Sequence, residues 1–267
     1  MTTTTRLPKS GNEWTESDLA TYGIKVEYQD IQQFFGEKPL PTPSVPEGIL
    51  TALTLDDALD FESKRFMSYL KLAIDPIAVA ELRECSGKSA FLSFIMVVFD
   101  ILGYFSYSCG LNEWTALPFL NCGRTMEVRV DAGLIDMDAN YSIRLVVHDG
   151  LSEGSTNSNA IAQLCAEAIA AFQYNNFRRR MIGLDELDSQ VIPGMIMIAT
   201  SPSFFKIPVS QELAWSIESG QSTSTPTTIT GFIPELPHPD RKKDGMRPLD
   251  NRRVILQCFE AFKKFVF

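Results

Sequence analysis

Between Glu127 and Asn176 the hydrophobic period changes from two to about 3.6, and that change restricts what the chain can fold into. In the stretch ending EVRVDAGLID, Met126, Val128 and Val130 alternate with Glu127, Arg129 and Asp131, the signature of a strand with one polar face. In YSIRLVVHDG, Ile143, Leu145, Val147 and Asp149 fall on one face of a second strand, and Asp138 with Asn140 supplies the hairpin turn between the two. A polar loop, LSEGSTNSN, then leads into AIAQLCAEAIAAFQYNN. At helical spacing this segment buries Ile161, Cys165, Ala168 and Phe172 and sets Gln163, Glu167, Ala170 and Tyr174 on another face. Its many alanines let such a helix lie close to a sheet.

The flanking segments fill in the layers. Residues 1–13 are polar and expected to be disordered. Thr15 with Asp18 predicts a short helix over Glu16–Tyr22, and Asp30 with Gly36 bounds another. KPLPTPSVPEG reads as an extended linker, so residues 14–47 are expected as a helical arm with a Pro-rich linker and residues 48–267 as one globular domain. Thr54 with Asp57 predicts the start of a longer helix carrying Leu59, Phe66, Leu70 and Ala73, interrupted or closed at Pro76. The apolar run Ala90–Leu111 carries Asp100 near its middle and is broken by Gly103, which favours a buried helix over Ser89–Leu102 rather than a membrane span. Thr115–Cys122, VIPGMIMIAT and FFKIPVS read as further strands, the last two joined as a hairpin at Ser201–Ser203. Ser210 caps a helix ending near Gly220, QSTSTPTT reads as a flexible stretch, and Leu249–Val266 as a closing helix. The fold class is α/β (α+β): a mixed central sheet of about five strands flanked by helices.

Bulk properties narrow the function. A chain of 267 residues with 45% apolar and 21% charged residues can bury a full core. A net charge of −9 argues against coating nucleic acid by charge alone. The five cysteines contain no C-x-x-C pair, which indicates neither a disulfide framework nor a zinc site. MTTTTRLPKSGNEW has no apolar h-region, so the expectation is a cytoplasmic or nuclear protein with no membrane association.

Three motifs bear on chemistry. Gly87-Lys88-Ser89 ends like a phosphate-binding loop, but the first required glycine falls on Leu82, so that reading fails. Gly150-Leu151-Ser152-Glu153-Gly154 matches a nucleophile elbow, with His238 downstream and Asp185 or Asp188 between. Against it, six polar residues separate Ser152 from the helix it should enter directly. Asp131 and Asp149 form the third candidate: on adjacent strands two carboxylates can hold Mg²⁺ or Mn²⁺, which would polarise a phosphodiester and activate water. Two solvated strand-end aspartates are the plainer outcome of that spacing. The plainer role of His148 is a packed or hydrogen-bonded strand residue, of Glu167 a solvated face, and of Arg178, Arg179 and Arg180 a helix end with charge matched to its dipole.

NEWTESDLATYGI, FLNCG, VDAGLID, AEAIAAFQYNN with its following arginines, and IPGMIMIATSPSFFKIPVS together resemble a largely uncharacterised family of fungal, mostly basidiomycete, proteins that look like PD-(D/E)XK nucleases. The resemblance covers most of residues 13–265 and implies a restriction-endonuclease-like core. In the nuclease pattern an Asp on one strand precedes a (D/E)-x-K on the next, with Glu or Gln on a helix behind. Asp131 and Asp149 match the acids and metal ligands, Glu167 and Gln173 match the helix positions, and Arg178, Arg179 and Arg180 match a nucleic-acid contact. The lysine position falls on Leu151, which cannot orient water or offset transition-state charge. The resemblance therefore implies a degenerate nuclease, inactive or weak and in effect a pseudoenzyme, that retains binding to nucleic acid or to a protein. The alternatives are an active Mg²⁺-dependent nuclease with Arg129, Arg144 or Lys88 in the lysine's role, and a serine hydrolase using Ser152. Substrate, partner and oligomeric state are not legible in the sequence.

Overall fold

A computed structural model of the protein describes residues 6–75, 77, 79–80, 90–150, 157–238 and 244–267. Its strands are β1 (Ile24–Tyr28), β2 (Cys109–Asn121), β3 (Arg124–Asp136), β4 (Ser142–Asp149), β5 (Ser189–Ile198), β6 (Ser201–Ser210) and β7 (Thr227–Phe232). Its helices are α1 (Glu16–Thr21), α2 (Ile31–Phe35), α3 (Glu47–Thr51), α4 (Phe61–Ile74), α5 (Ala90–Ile101), α6 (Asn157–Met181), α7 (Gln211–Ser219) and α8 (Leu249–Val266). Among the described residues the sheet holds seven strands in the order β1-β7-β6-β5-β4-β3-β2, rather than about five. It is mixed, since β1 runs parallel to β7 and β3 antiparallel to β4. β1 and β7 both escape a local reading because they are five and six residues long and pair with each other across about two hundred residues of sequence; Thr227 and Thr228, expected in a flexible stretch, open β7.

By its contacts the chain divides into two units, each assembled from three stretches: Met1–Gln29, Leu111–Ile196 and Phe204–Gly231 in the first, Asp30–Gly110, Met197–Ser203 and Phe232–Phe267 in the second. The expected arm therefore supplies residues to both units, and its Trp14 and β1 belong to the first.

In the first unit α6 is the organising element. From Ala160 to Phe172 it is enclosed on nearly every side, with Ala160, Ala162, Ala166, Ala168, Ala170 and Ala171 all buried. Small side chains allow this, because a helix closed in all round must meet neighbours on each face. One neighbour is the 3₁₀ turn Gly11–Glu13, where a Cβ on Gly11 would fall 1.7 Å from Val128 Cγ2 and 3.2 Å from Ala166 Cβ. Trp14 stacks on Tyr22 at 5.7 Å and meets Phe119 edge-on at 5.6 Å. α1 opens with the expected capping box, the Thr15 N–H donating to Asp18 Oδ2 at 2.9 Å.

Three amide side chains near the end of α6 take over the work of a neighbouring strand. Gln173 accepts from the Leu120 N–H at 3.0 Å and donates to the Leu120 carbonyl at 3.2 Å. Asn175 does the same to Ile143, at 2.8 and 3.0 Å, and Asn176 to Leu187, at 2.9 and 3.2 Å. The FQYNN segment thus fastens β2, β4 and the stretch before β5 to one helix.

The second unit holds α5, whose Phe94, Ile95, Val98 and Phe99 are buried, as expected for this apolar run. No helix among the described residues is long and apolar enough to cross a membrane. Asp100, the charge within α5, pairs with Arg65 of α4. Thr54 and Asp57 do form their hydrogen-bonded turn, but α4 begins only at Phe61, where Asp60 caps it by accepting from the Ser63 N–H at 2.8 Å. Arg252 of α8 is fully buried, with its guanidinium donating to the carbonyls of Ile49, Ala52 and Met246 at 2.8–2.9 Å and of Arg247 at 3.3 Å.

Candidate metal centre

The β3–β4 hairpin turns through Asn140 and Tyr141, both left-handed at φ 58° and 59°. Near the turn Asp136 faces Ser142 and Ile135 faces Ile143, a register that would carry Asp131 to a place opposite Val147. A shift between Leu134 and Ile135 intervenes, so that Leu134 faces Leu145 and Ala132 faces Val147. Continued by one residue, the shifted register sets Asp131 opposite His148. Residues paired across antiparallel strands share a face, so His148, not Asp149, is the side chain brought beside Asp131.

Glu167 meets this pair from α6. His148 Nδ1 lies 2.7 Å from Glu167 Oε1 and 3.6 Å from Asp131 Oδ2. One ligand atom from each of the three residues lies within 4.8 Å of the other two. Glu167 and His148 are 1% and 2% exposed, and Asp131 is half-closed, with 17% of its side chain accessible. Asp149 contributes its backbone N–H, which donates to Asp131 Oδ2 at 2.7 Å. Two buried polar atoms, His148 Nε2 and Glu167 Oε2, have no hydrogen-bond partner among the described residues.

Burial and mutual charge set the protonation. Desolvation pushes the Glu167 carboxyl up to about 7 against the pull of His148. Burial alone would lower His148, but the charges of Glu167, Asp131 and Asp149 and the Glu167 hydrogen bond outweigh it and raise the imidazole above its ordinary value. Asp131 is also raised, chiefly by desolvation.

The other sequence candidates lie elsewhere. Gln173 is committed to the Leu120 backbone. Arg178 donates to the Asn140 carbonyl and lies over the Tyr141 ring at 5.1 Å, Arg179 donates to the Asp185 carbonyl, and Arg180 pairs with Glu186 at 2.6 Å. Eleven residues separate Arg178 from Glu167 along α6, about 16 Å of helix. Arg144 is held by Asp136 at 2.9 Å, and Arg129 is exposed. Leu151, Ser152 and Lys88 lie outside the described residues. His238 pairs with Asp250 at 2.5 Å, both exposed.

The residue that sequence reasoning passed over as a site member is His148. Its signal was present in the dipeptide His148-Asp149, since alternation means that only one of the two can face Asp131. No protein-family model matches the chain, and no curated protein matches it either.

Proposed function

We propose that the chain is a degenerate nuclease-like protein of the PD-(D/E)XK type, which binds a divalent cation and nucleic acid and cleaves phosphodiesters weakly or not at all. The observation that carries this reading is the convergence of Asp131 from β3 with Glu167 from the helix that follows β4. An acid on one strand of a hairpin with a helix carboxylate behind it is part of the nuclease arrangement, with His148 standing where the second strand's acid would face the ion, and the donors suit a cation. Asp131, Glu167 and His148 would hold the ion, which supplies Lewis-acid polarisation of a phosphoryl oxygen when bound. Asp149 fixes the orientation of Asp131 through its N–H.

Weak turnover follows from the cationic groups. Leu151 stands at the lysine position, Arg144 is spent on Asp136, and the arginines of α6 begin about 16 Å along the helix from Glu167. Nothing cationic among these offsets charge on an attacking water. The test is incubation of the full chain with short DNA and RNA substrates in Mg²⁺ or Mn²⁺, read by gel shift and by product formation. Cation-dependent retention of nucleic acid, with slow cleavage that Asp131→Ala abolishes or with no cleavage, is the expected result. Absence of both retention and cleavage on every substrate overturns the proposal, and so does rapid turnover.

A further inference from the structure

We infer that the Asp131–His148–Glu167 cluster is a selective site for a first-row transition-metal ion, Mn²⁺, Fe²⁺ or Zn²⁺, in preference to Mg²⁺, with His148 as the selecting ligand. This deepens the cation-binding part of the proposed function and rests on it.

The donor set is one imidazole nitrogen and two carboxylates, with Asp149 holding Asp131 by its backbone rather than joining it. Imidazole suits Zn and Fe, whereas Mg²⁺ takes oxygen ligands and gives up its waters reluctantly. At 1–2% exposure for Glu167 and His148, the site asks an ion to shed most of its hydration, which penalises Mg²⁺ most. Ligands of one ion at about 2.1 Å stand roughly 3 Å apart. The separations of 2.7 and 3.6 Å about Nδ1 straddle that figure, so small side-chain adjustments admit the ion.

An independent observation points the same way. Glu167 Oε2 is buried and has no partner among the described residues, although its twin Oε1 is bonded to His148. A buried carboxylate oxygen left without a donor is costly, and a cation between Glu167 and Asp131 would satisfy it. The charges also close: a divalent ion neutralises the two carboxylates and leaves the imidazole as a neutral ligand.

Calorimetric titration of the metal-stripped full chain with Mn²⁺, Zn²⁺ and Mg²⁺ tests the inference. The expected result is one site at which Mn²⁺ and Zn²⁺ bind about 100-fold or more tightly than Mg²⁺, with His148→Asp narrowing that ratio at least about tenfold. Because a variant at so buried a position can fail to fold, the Mn²⁺-loaded wild type supplies a second reading by electron spin-echo modulation. The chain has two histidines, so nitrogen coupling that survives His238→Ala assigns His148. Mg²⁺ binding as tight as Mn²⁺, or no nitrogen coupling, overturns the inference and leaves the nuclease-like reading standing. No binding of any ion by folded protein removes the inference and the cation-binding reading together. Nitrogen coupling lost in His238→Ala also overturns it.

Discussion

A carboxylate in the middle of a helix lined with buried alanines has no water to solvate it, and Glu167 meets that condition with His148 as its described partner at 2.7 Å. Glu167, His148 and Asp131 are all shifted upward, so the folded metal-free protein holds protons that the unfolded chain would release. A raised group stabilises fully below its unfolded value and loses that contribution as pH rises through its folded value. The metal-free protein should therefore melt at progressively lower temperature as pH rises from about 4.5 to 7 through Glu167, with a further decline above 6.5 from His148. Glu167→Gln should flatten the curve, and thermal melts across that range check it. Gln173 behaves differently. Replacing it with Ala strips both partners from Leu120, so it should destabilise by about 1–3 kcal/mol in a urea melt while leaving Mn²⁺ affinity unchanged. A change in affinity would return Gln173 to the site.

At the scale of elements the decisive detail is one shifted position in the β3–β4 ladder. Without it Asp131 would share a face with Val147 and Asp149, as the alternation in the sequence suggests; with it Asp131 shares a face with His148. The turn, both strands and the helix behind them were legible from residue periodicity, and the shift between Leu134 and Ile135 was not. The one local signal is Gly133 beside Leu134, since a glycine inside a strand often marks a bulge, but it does not say where the register moves. The short β1 and β7 are illegible for a related reason, since they pair in parallel with each other from remote parts of the sequence. Docking of the Gly11–Glu13 turn is an element-level contact with a sharp test. Gly11→Ala places a methyl 1.7 Å from Val128 Cγ2 and should cost about 1–3 kcal/mol, seen as a lowered urea midpoint.

For the whole molecule, the interleaving of three stretches in each unit means that no single cut frees either unit intact. A truncation starting at residue 48 removes Trp14, Tyr22 and Ile24 from the first unit's core and β1 from the sheet. It should show no cooperative melt; a cooperative transition at the wild-type temperature would contradict the division. In the second unit Arg252→Met leaves four carbonyls without their donor and should destabilise by at least about 3 kcal/mol. The guanidinium, lowered to about 10 by burial, stays protonated at neutral pH, so this loss should be the same at pH 6 and pH 8. The amide side chains of FQYNN carry a kinetic consequence. The N–H groups of Leu120, Ile143 and Leu187 donate to side chains of α6, so their deuterium uptake is gated by release of that helix and not by parting of strands. Three amide hydrogens spread over nearly seventy residues of chain should exchange as a single kinetic group.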